Sequence, residues 1–384
     1  VLGSRHSFNG IADTTEDLLS FENWDRIVSL DREKRTVTVQ SGIKYGTLAH
    51  YLHKEGFALH NLASLPHISV VGACMTATHG SGVGNGNLAT SVSGLKLVTA
   101  DGNITTLTRE QDAEALNATV VGLGALGVVL ELTLELVPTF LVQQNVYENL
   151  TWESLETHFN EIVSAAYSVS LFTQWRNWEI EQVWLKSRVT EGVSFHAPST
   201  FYGATPALRP MHPISSVSAE NCTQQMGVPG AWHERLPHFR MEFTPSHGEE
   251  LQSEYFVPRI HAVEAMKVVF ALGEELAPVL LISEVRTIAA DALWMSPCYQ
   301  QDCVGLHFTW VRDWERVQRV LPKLEERLAQ FQARPHWGKL FTMTPAQVAS
   351  VYTKLPDFRN LVLTSDPEGK FRNRFLDTYL FESC

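Results

Sequence analysis

Short β-branched runs with a period of two dominate the first third of the chain. Thr36–Gln40 (TVTVQ) alternates polar and apolar positions, and Leu130, Leu132, Leu134 and Leu136 alternate with Glu131, Thr133 and Glu135. That period puts the leucines on one face of a half-buried strand. Residues 94–99 and 104–107 flank Asp101-Gly102, a dipeptide that predicts a hairpin, and Tyr45–Lys54 reads as a helix. After Pro138 the texture shifts to longer segments rich in Trp and Phe. Helices are predicted over 152–164 and 261–276, the second closed by Ala277-Pro278, and strands over 168–175, 279–288 and 305–311. Residues 196–237 read as a long irregular excursion, and Asp366-Pro367-Glu368-Gly369 as a turn. Strands and helices mixed on both sides of a boundary near residue 138 predict a two-domain α+β protein.

Composition narrows the function classes. The 384 residues exceed what one ordinary core holds, and the 44% apolar content excludes a disordered or fibrous chain. A net charge of −12 argues against a sequence-independent nucleic-acid binder. Cys74, Cys222, Cys298, Cys303 and Cys384 are too scattered for a disulfide framework, and no His/Cys spacing fits zinc, so no metal is expected. The most apolar stretch, 120–137, is broken by Glu131, Glu135 and three glycines, which is poor for a membrane span. No signal peptide is visible, and a soluble, cytoplasmic, monomeric protein is expected.

Three glycine loops follow none of the common nucleotide motifs. Residues 80–86 (GSGVGNG) place glycine at alternate positions, where backbone N–H groups could meet a phosphate. Residues 3–7 (GSRHS) and 122–127 (GLGALG) are similarly small. Neither GxGxxG after a strand nor GxxxxGK[ST] is present. Each loop alone is an ordinary turn; three together, two of them carrying His6 and His79, favour a dinucleotide cradle.

The residues 3–9 (GSRHSFN), the run 61–82 (NLASLPHISVVG through THGSG), Glu284-Val285-Arg286, residues 307–310 (HFTW), 336–339 (HWGK) and 369–373 (GKFRN) occur in an order that resembles the vanillyl-alcohol-oxidase superfamily. The branch most similar is that of the aldonolactone and alditol oxidases. The resemblance implies a two-domain flavoprotein: an FAD-binding domain over 1–137, a substrate (cap) domain with an antiparallel sheet over 138–359, and a segment over 360–384 returning to the flavin. It also implies a βαβ element ahead of the histidine loop, so the native product is expected to be longer at its N-terminus.

By the same resemblance the cofactor is FAD, joined covalently through an 8α-histidyl bond to His6. Further cofactor contacts are implied for Gly3, Ser4, Arg5, Ser7, Ala63, Ser69, Gly72, Thr76, His79, Gly80, Gly82, Gly127, Val129 and Asn373. Lys339, Arg286 and Glu284 are implied as catalytic, with Ser64, Gln252, His307 and Thr309 binding a small polyol. Glu284 and Arg286 lie two apart on a strand and so share a face, as do His307 and Thr309. Charged residues in the apolar stretch 279–290 are costly unless paired or functional. Oxidation of a terminal alditol hydroxyl with O2 as acceptor is the leading expectation. A lactone oxidase or dehydrogenase is the alternative, and a non-catalytic flavin-binding fragment a third. A metal-dependent hydrolase lacks its HExxH signature.

Overall fold

A computed structural model describes residues 1–190, 198–241 and 250–382. Every strand ladder among them is antiparallel. The smaller sheet comprises β1 (Ile27–Asp31), β2 (Thr36–Gln40), β3 (Val92–Val98), β4 (Ile104–Thr108) and β5 (Val128–Glu135), in the spatial order β1-β2-β5-β3-β4. The Asp101-Gly102 turn joins β3 to β4 as predicted. Leu132 and Leu134 of β5 are fully buried, while Glu135 is exposed, as the two-residue period requires. Helices α1 (Tyr45–Lys54), α2 (Val70–Met75) and α3 (Arg109–Thr119) belong to the same unit.

The larger sheet has six long strands: β6 (Leu141–Thr151), β7 (Ser168–Thr173), β8 (Glu179–Val189), β9 (Glu250–Pro258), β10 (Leu280–Ile288) and β11 (Cys303–Val311). Their order is β6-β8-β7-β10-β11-β9, with short pieces Thr205–Pro206 and Gly230–Ala231 on β6 and Arg334–Pro335 on β9. Helices α4 (Trp152–Ser164), α5 (Ala262–Ala271) and α6 (Trp314–Ala329) cover one face. Phe159, Met266, Leu321 and Leu324 pack there against Val285, Leu306 and Phe308. Thr151 and Asp313 cap α4 and α6 by accepting from Ser154 N and Arg316 N. Two buried indoles on this face are satisfied by serines: Trp175 Nε1 donates to Ser283 Oγ (2.7 Å) and Trp310 Nε1 to Ser253 Oγ (2.9 Å). The opposite face is left for other side chains.

One hydrophobic cluster joins residues from Ile11 to Val142 with Trp337, Tyr352, Phe358 and Leu380, so the chain returns to its first core at the end. The predicted 261–276 helix is divided into α5 and a second short helix, Gly273–Leu276, and a Cβ on Gly273 would collide with Trp175 O. The excursion 196–237 is irregular where described, carrying only short turns and two-residue strands; residues 196 and 197 lie outside the described residues. No helix among the described residues is long and apolar enough to cross a membrane. The four described cysteines are buried and unpaired.

Asn373 fastens the final segment to the beginning of the chain. Its Nδ2 donates to the carbonyls of Gly10 (3.4 Å), Ile11 (3.0 Å) and Asp13 (2.9 Å), while its Oδ1 caps the following turn through Leu376 N. Asn373→Ala is expected to lower unfolding free energy by about 1–3 kcal/mol, since it removes a cap and several carbonyl bonds together. Denaturant titration checks the size, and faster amide exchange at residues 374–381 checks the place.

Candidate functional site

The helix-free face of the larger sheet carries a row of buried polar side chains. Register sets it: Gln252 opposes Thr309, Glu254 opposes His307, and His307 in turn opposes Glu284 on β10. Arg286 stands two residues along the same face, opposite Gly305. The row holds the predicted pairs Glu284/Arg286 and His307/Thr309 together, with Gln252 beside them: His307 Nε2 lies 3.0 Å from Gln252 Oε1.

Glu254, which sequence reasoning passed over, is the centre of this row. It is 1% exposed and accepts from Arg286 Nη2 (2.7 Å) and Lys339 Nζ (2.7 Å), and His79 Nε2 lies 3.1 Å from it. Burial alone would raise its pKa, but Lys339, Arg286 and His79 outweigh burial and hold it well below the ordinary carboxylate value. Arg286 thus spends its hydrogen bond on Glu254; Glu284 Oε2 sits 3.6 Å from its Nε, within ion-pair reach only. Glu284 is held low in the same way, with Arg286 and His238 overcoming the burial effect. Lys339 is lowered by burial and then by Arg286, with Glu254 opposing. Burial lowers His307 well below its usual value, so its ring is neutral.

Lys339 reaches Glu254 because residues 334–340 run beside β9. His336 N donates to Glu254 O (2.9 Å) and Leu340 N to Gln252 O (2.9 Å). The same segment is stitched to the histidine loop. Asn9 Nδ2 donates to Trp337 O (2.8 Å) and Lys339 O (2.7 Å), and Phe8 N to Gly338 O (2.8 Å). The histidine loop thus meets this segment over 300 residues away in sequence, and a Cβ on Gly338 would lie 3.1 Å from Ser7 Oγ. At Gly305 a Cβ would come within 3.1 Å of Glu254 Oε1 and 3.5 Å of His79 Cε1, so a larger residue there would press on that contact.

Around His6 the loop is tight. Arg5 adopts a left-handed φ of 59°, and Ser4 Oγ accepts from Ser69 N (3.0 Å). A Cβ on Gly3 would lie 2.9 Å from Ser69 Oγ. His67, a second residue the sequence reading did not single out, lies with its ring centroid 5.1 Å from that of His6, the two rings tilted by 49°. Burial, then His67 and Lys44, bring the His6 pKa down to about 4. Ala63 is buried next to Ser64, whose carbonyl accepts from His238 N (3.1 Å).

Two N–H groups of the 80–86 loop are used within the protein: Gly82 N donates to Thr287 O and Asn85 N to Gly82 O. Gly82 has a φ of 138°, and a Cβ there would lie 2.4 Å from Tyr167 O. Gly82 thus permits close approach of the two units at Tyr167. His79 lies at that seam, its Nδ1 2.8 Å from Gly80 O. Burial and Arg286 lower its pKa, while Glu254 and the Gly80 carbonyl oppose them. Thr76 donates to Gly72 O (3.3 Å) in α2. Gly127 and Val129 open β5, where Ser41 Oγ donates to Val129 O. Asn373 is engaged with the carbonyls of 10–13. None of these four has a described hydrogen bond to the Glu254 row.

The family described as "FAD binding domain" matches residues 1–108, and the one described as "D-arabinono-1,4-lactone oxidase" matches residues 243–379. A Streptomyces protein named alditol oxidase is 49% identical over 373 residues, 97% of this chain and 88% of its own length. The chain belongs to the aldonolactone and alditol oxidase branch of the vanillyl-alcohol-oxidase superfamily. More distant relatives in that branch are the mouse L-gulonolactone oxidase, 26% identical over 99% of this chain and 89% of its own, and the Mycobacterium tuberculosis L-gulono-1,4-lactone dehydrogenase, 27% identical over 97% and 88%. Among solved structures, cholesterol oxidase from B. sterolicum shares the fold with a TM-score of 0.75 at 13% identity, covering 98% of this chain and 88% of that one.

The residues present fit the FAD that this branch carries. Beside His6, both ring nitrogens of His67 and the Ser69 hydroxyl are buried with no partner among the described residues. Such groups need a polar partner, and the polar edge of a flavin could provide it. No group of three or more His, Cys, Asp or Glu among the described residues is arranged for a metal.

Two expectations follow for Glu254. Glu254→Gln leaves Arg286 and Lys339 with one buried carboxylate fewer, and a destabilisation of about 3–5 kcal/mol is expected, read by denaturant unfolding. Glu254 and Glu284 both have depressed folded pKa values, so their contribution is present above the unfolded carboxylate value near pH ~4.3 and is lost as pH falls below it. The parent's acid limb should therefore shrink in Glu254→Gln; an unchanged pH dependence of unfolding would remove Glu254 from this role.

Proposed function

We propose that this protein is an FAD-dependent oxidase that converts the terminal CH2OH of a linear alditol, such as xylitol or sorbitol, to an aldehyde, with O2 reduced to H2O2. The observation that carries this reading is the 49% identity to a relative named alditol oxidase, against 26–27% for relatives named for lactones. The polar row supports it. An open-chain polyol bears a hydroxyl on every carbon, and Gln252, Thr309, His307, Glu284, Arg286 and Lys339 offer donors and acceptors along one sheet face.

In this reading residues 1–137 hold the cofactor, residues 138–359 the polyol, and residues 360–384 return to the cofactor side. The flavin supplies the hydride acceptor and the route of electrons to O2. His6, neutral at physiological pH, would be the covalent 8α-histidyl anchor. Arg286 and Lys339 would stabilise the substrate oxygen as it gains alkoxide character. The Lys339–Glu254 ion pair favours an ammonium that holds that oxygen over an amine that removes its proton. Glu284 would accept a substrate hydroxyl, Ser64 would bond the reacting one, and Gln252 would contact the far end.

A lactone oxidase remains the second reading, favoured by the family match over 243–379. Peroxide formation with xylitol, sorbitol, glycerol and gulono- and galactonolactone separates the two. Xylitol and sorbitol should give the highest kcat/KM, and shortening to glycerol should lower it by about tenfold for each hydroxyl removed from the substrate. A lactone turned over faster than any polyol would replace this reading with the second. Lys339→Met should slow anaerobic flavin reduction at saturating xylitol by about 10²–10³, equivalent to ~3–4 kcal/mol. A change confined to Kd would make Lys339 a binding residue only. His6→Ala should release flavin on denaturation, and a parent peptide around His6 without a flavin adduct would exclude the covalent bond.

A further inference from the structure

A fully buried lysine that the sequence reading never touched stands behind Glu284. Lys186 of β8 is 1% exposed and has no carboxylate within ion-pair distance among the described residues. Its Nζ instead meets three acceptors: Leu236 O (2.5 Å), Pro237 O (3.3 Å) and His238 Nδ1 (3.0 Å). An ammonium has three protons and no lone pair, so this arrangement uses all of them. With Nδ1 accepting, the proton of a neutral His238 sits on Nε2, and that nitrogen lies 2.8 Å from Glu284 Oε1. The His238 main chain is itself fixed, its N–H donating to Ser64 O (3.1 Å).

We propose that Lys186 is a positioning residue for Glu284: its ammonium fixes His238 in the Nε2–H form, and His238 in turn orients the Glu284 carboxylate toward the substrate. The inference rests on the reading that Glu284 accepts a substrate hydroxyl. Holding a buried, uncompensated ammonium at this place is expensive, and a purely structural contact would be served by an apolar side chain of similar volume. A neutral amine would reverse the pattern. It would accept from Nδ1–H, leave the Nε2 lone pair facing the carboxylate, and turn an attraction into a repulsion.

The groups facing this chain come from every neighbouring strand. His238 faces Lys186 on β8, Glu284 and Arg286 on β10, and the rings of Phe172 (5.5 Å) and Trp184 (5.1 Å). Lys186 faces His238, Glu284, Arg286 and Cys222. Burial brings Lys186 down to about 7, with Glu284 and Cys222 opposing. Burial, then the Lys186 charge, brings His238 down to about 4, with Glu284 opposing.

Lys186→Met removes both the Nδ1 donor and the charge that suppresses His238 protonation. At about pH 6, where the parent's Lys186 is an ammonium, the variant ring loses its anchor, and xylitol binding should weaken by about tenfold to a hundredfold. As pH falls further, His238 should take up the proton that Lys186 no longer holds, restoring an Nε2–H aimed at Glu284. The ratio of variant to parent Kd should therefore close between about pH 6 and pH 5. A lysine that merely filled space would give a ratio independent of pH, and that result overturns the proposal.

A second readout needs no substrate. Imidazole 15N spectra, with His238 assigned by its loss in His238→Gln, should show a neutral ring protonated at Nε2 in the parent and a raised His238 pKa in Lys186→Met. Identical His238 spectra in the two proteins also overturn it. If Lys186→Met does not fold, Lys186→Gln takes the same two measurements. His238→Gln, which keeps a donor near the Nε2 position, should retain about tenfold more turnover than His238→Leu; equal losses count against the relay. A parent that shows the expected His238 state but neither binds nor oxidises a polyol would sink the proposed function while leaving Lys186 as the anchor of His238.

Discussion

Burial of the Glu254 carboxylate is the constraint on which the site depends. A lone ionised carboxylate at 1% exposure is not tolerable in a protein interior, so the surrounding chain must bring cations and donors to it. Arg286 comes from β10 two strands away, His79 from the 80–86 loop of the first unit, and Lys339 from the segment running beside β9. Three parts of the sequence are thus tied at one pair of oxygen atoms. The loop bearing His6 is tied in as well, because Asn9 holds the backbone on both sides of Gly338. Removing the hub would leave two cations short of charge compensation and the histidine loop attached to a looser neighbour.

The antiparallel register turns this constraint into a surface. Because side chains alternate, one face of β9, β10 and β11 packs Tyr255, Val285, Leu306 and Phe308 against helices, and the other must take Glu254, Arg286 and His307. A shift of one residue in any of these strands would drive charges into the helix-packed core and expose aromatics. Apolar packing therefore fixes the geometry of the polar row, and the polar row needs no rigidity of its own. Gly305 adds the missing space, letting His79 approach from the other unit.

Much of this was legible in the sequence where periodicity was strong. TVTVQ and the Leu/Glu alternation gave β2 and β5, and polar pairs two apart correctly placed Glu284/Arg286 and His307/Thr309 on single faces of β10 and β11. The strands β6, β8 and β9 escaped: in β9 the polar residues of 250–254 resemble a loop, and only pairing with β11 explains them as a strand. Glu254 went unnoticed for that reason, although a glutamate two residues after Gln252 must share its face. Lys186 and His238 carried still less signal. A lysine in QVWLKSRV reads as a solvent-facing alternation, and its burial arises from the 236–238 segment folding over it, a long-range contact that no local pattern encodes. In the 80–86 loop, periodicity gave no hint that Gly82 meets the Tyr167 backbone, a long-range contact.

The charge inventory of the row bears directly on its chemistry. Glu254 and Glu284 are both held ionised, and His307 between them is kept neutral by burial. Arg286 and Lys339 balance the two carboxylates. With Lys186 as an ammonium behind His238, one positive charge is in excess. A site with that sign disfavours a bound anion's release and favours oxygen that becomes more negative as a C–H bond gives up its hydride. In the proposed reaction a neutral polyol would gain little from the excess in its ground state, because its hydroxyls pair with donors and acceptors about equally. A developing alkoxide would gain much more, since a dry, preorganised environment strengthens each interaction and needs no reorientation. On that reading the same arrangement that makes Glu254 tolerable in the interior would place its benefit on the transition state, where differential binding counts.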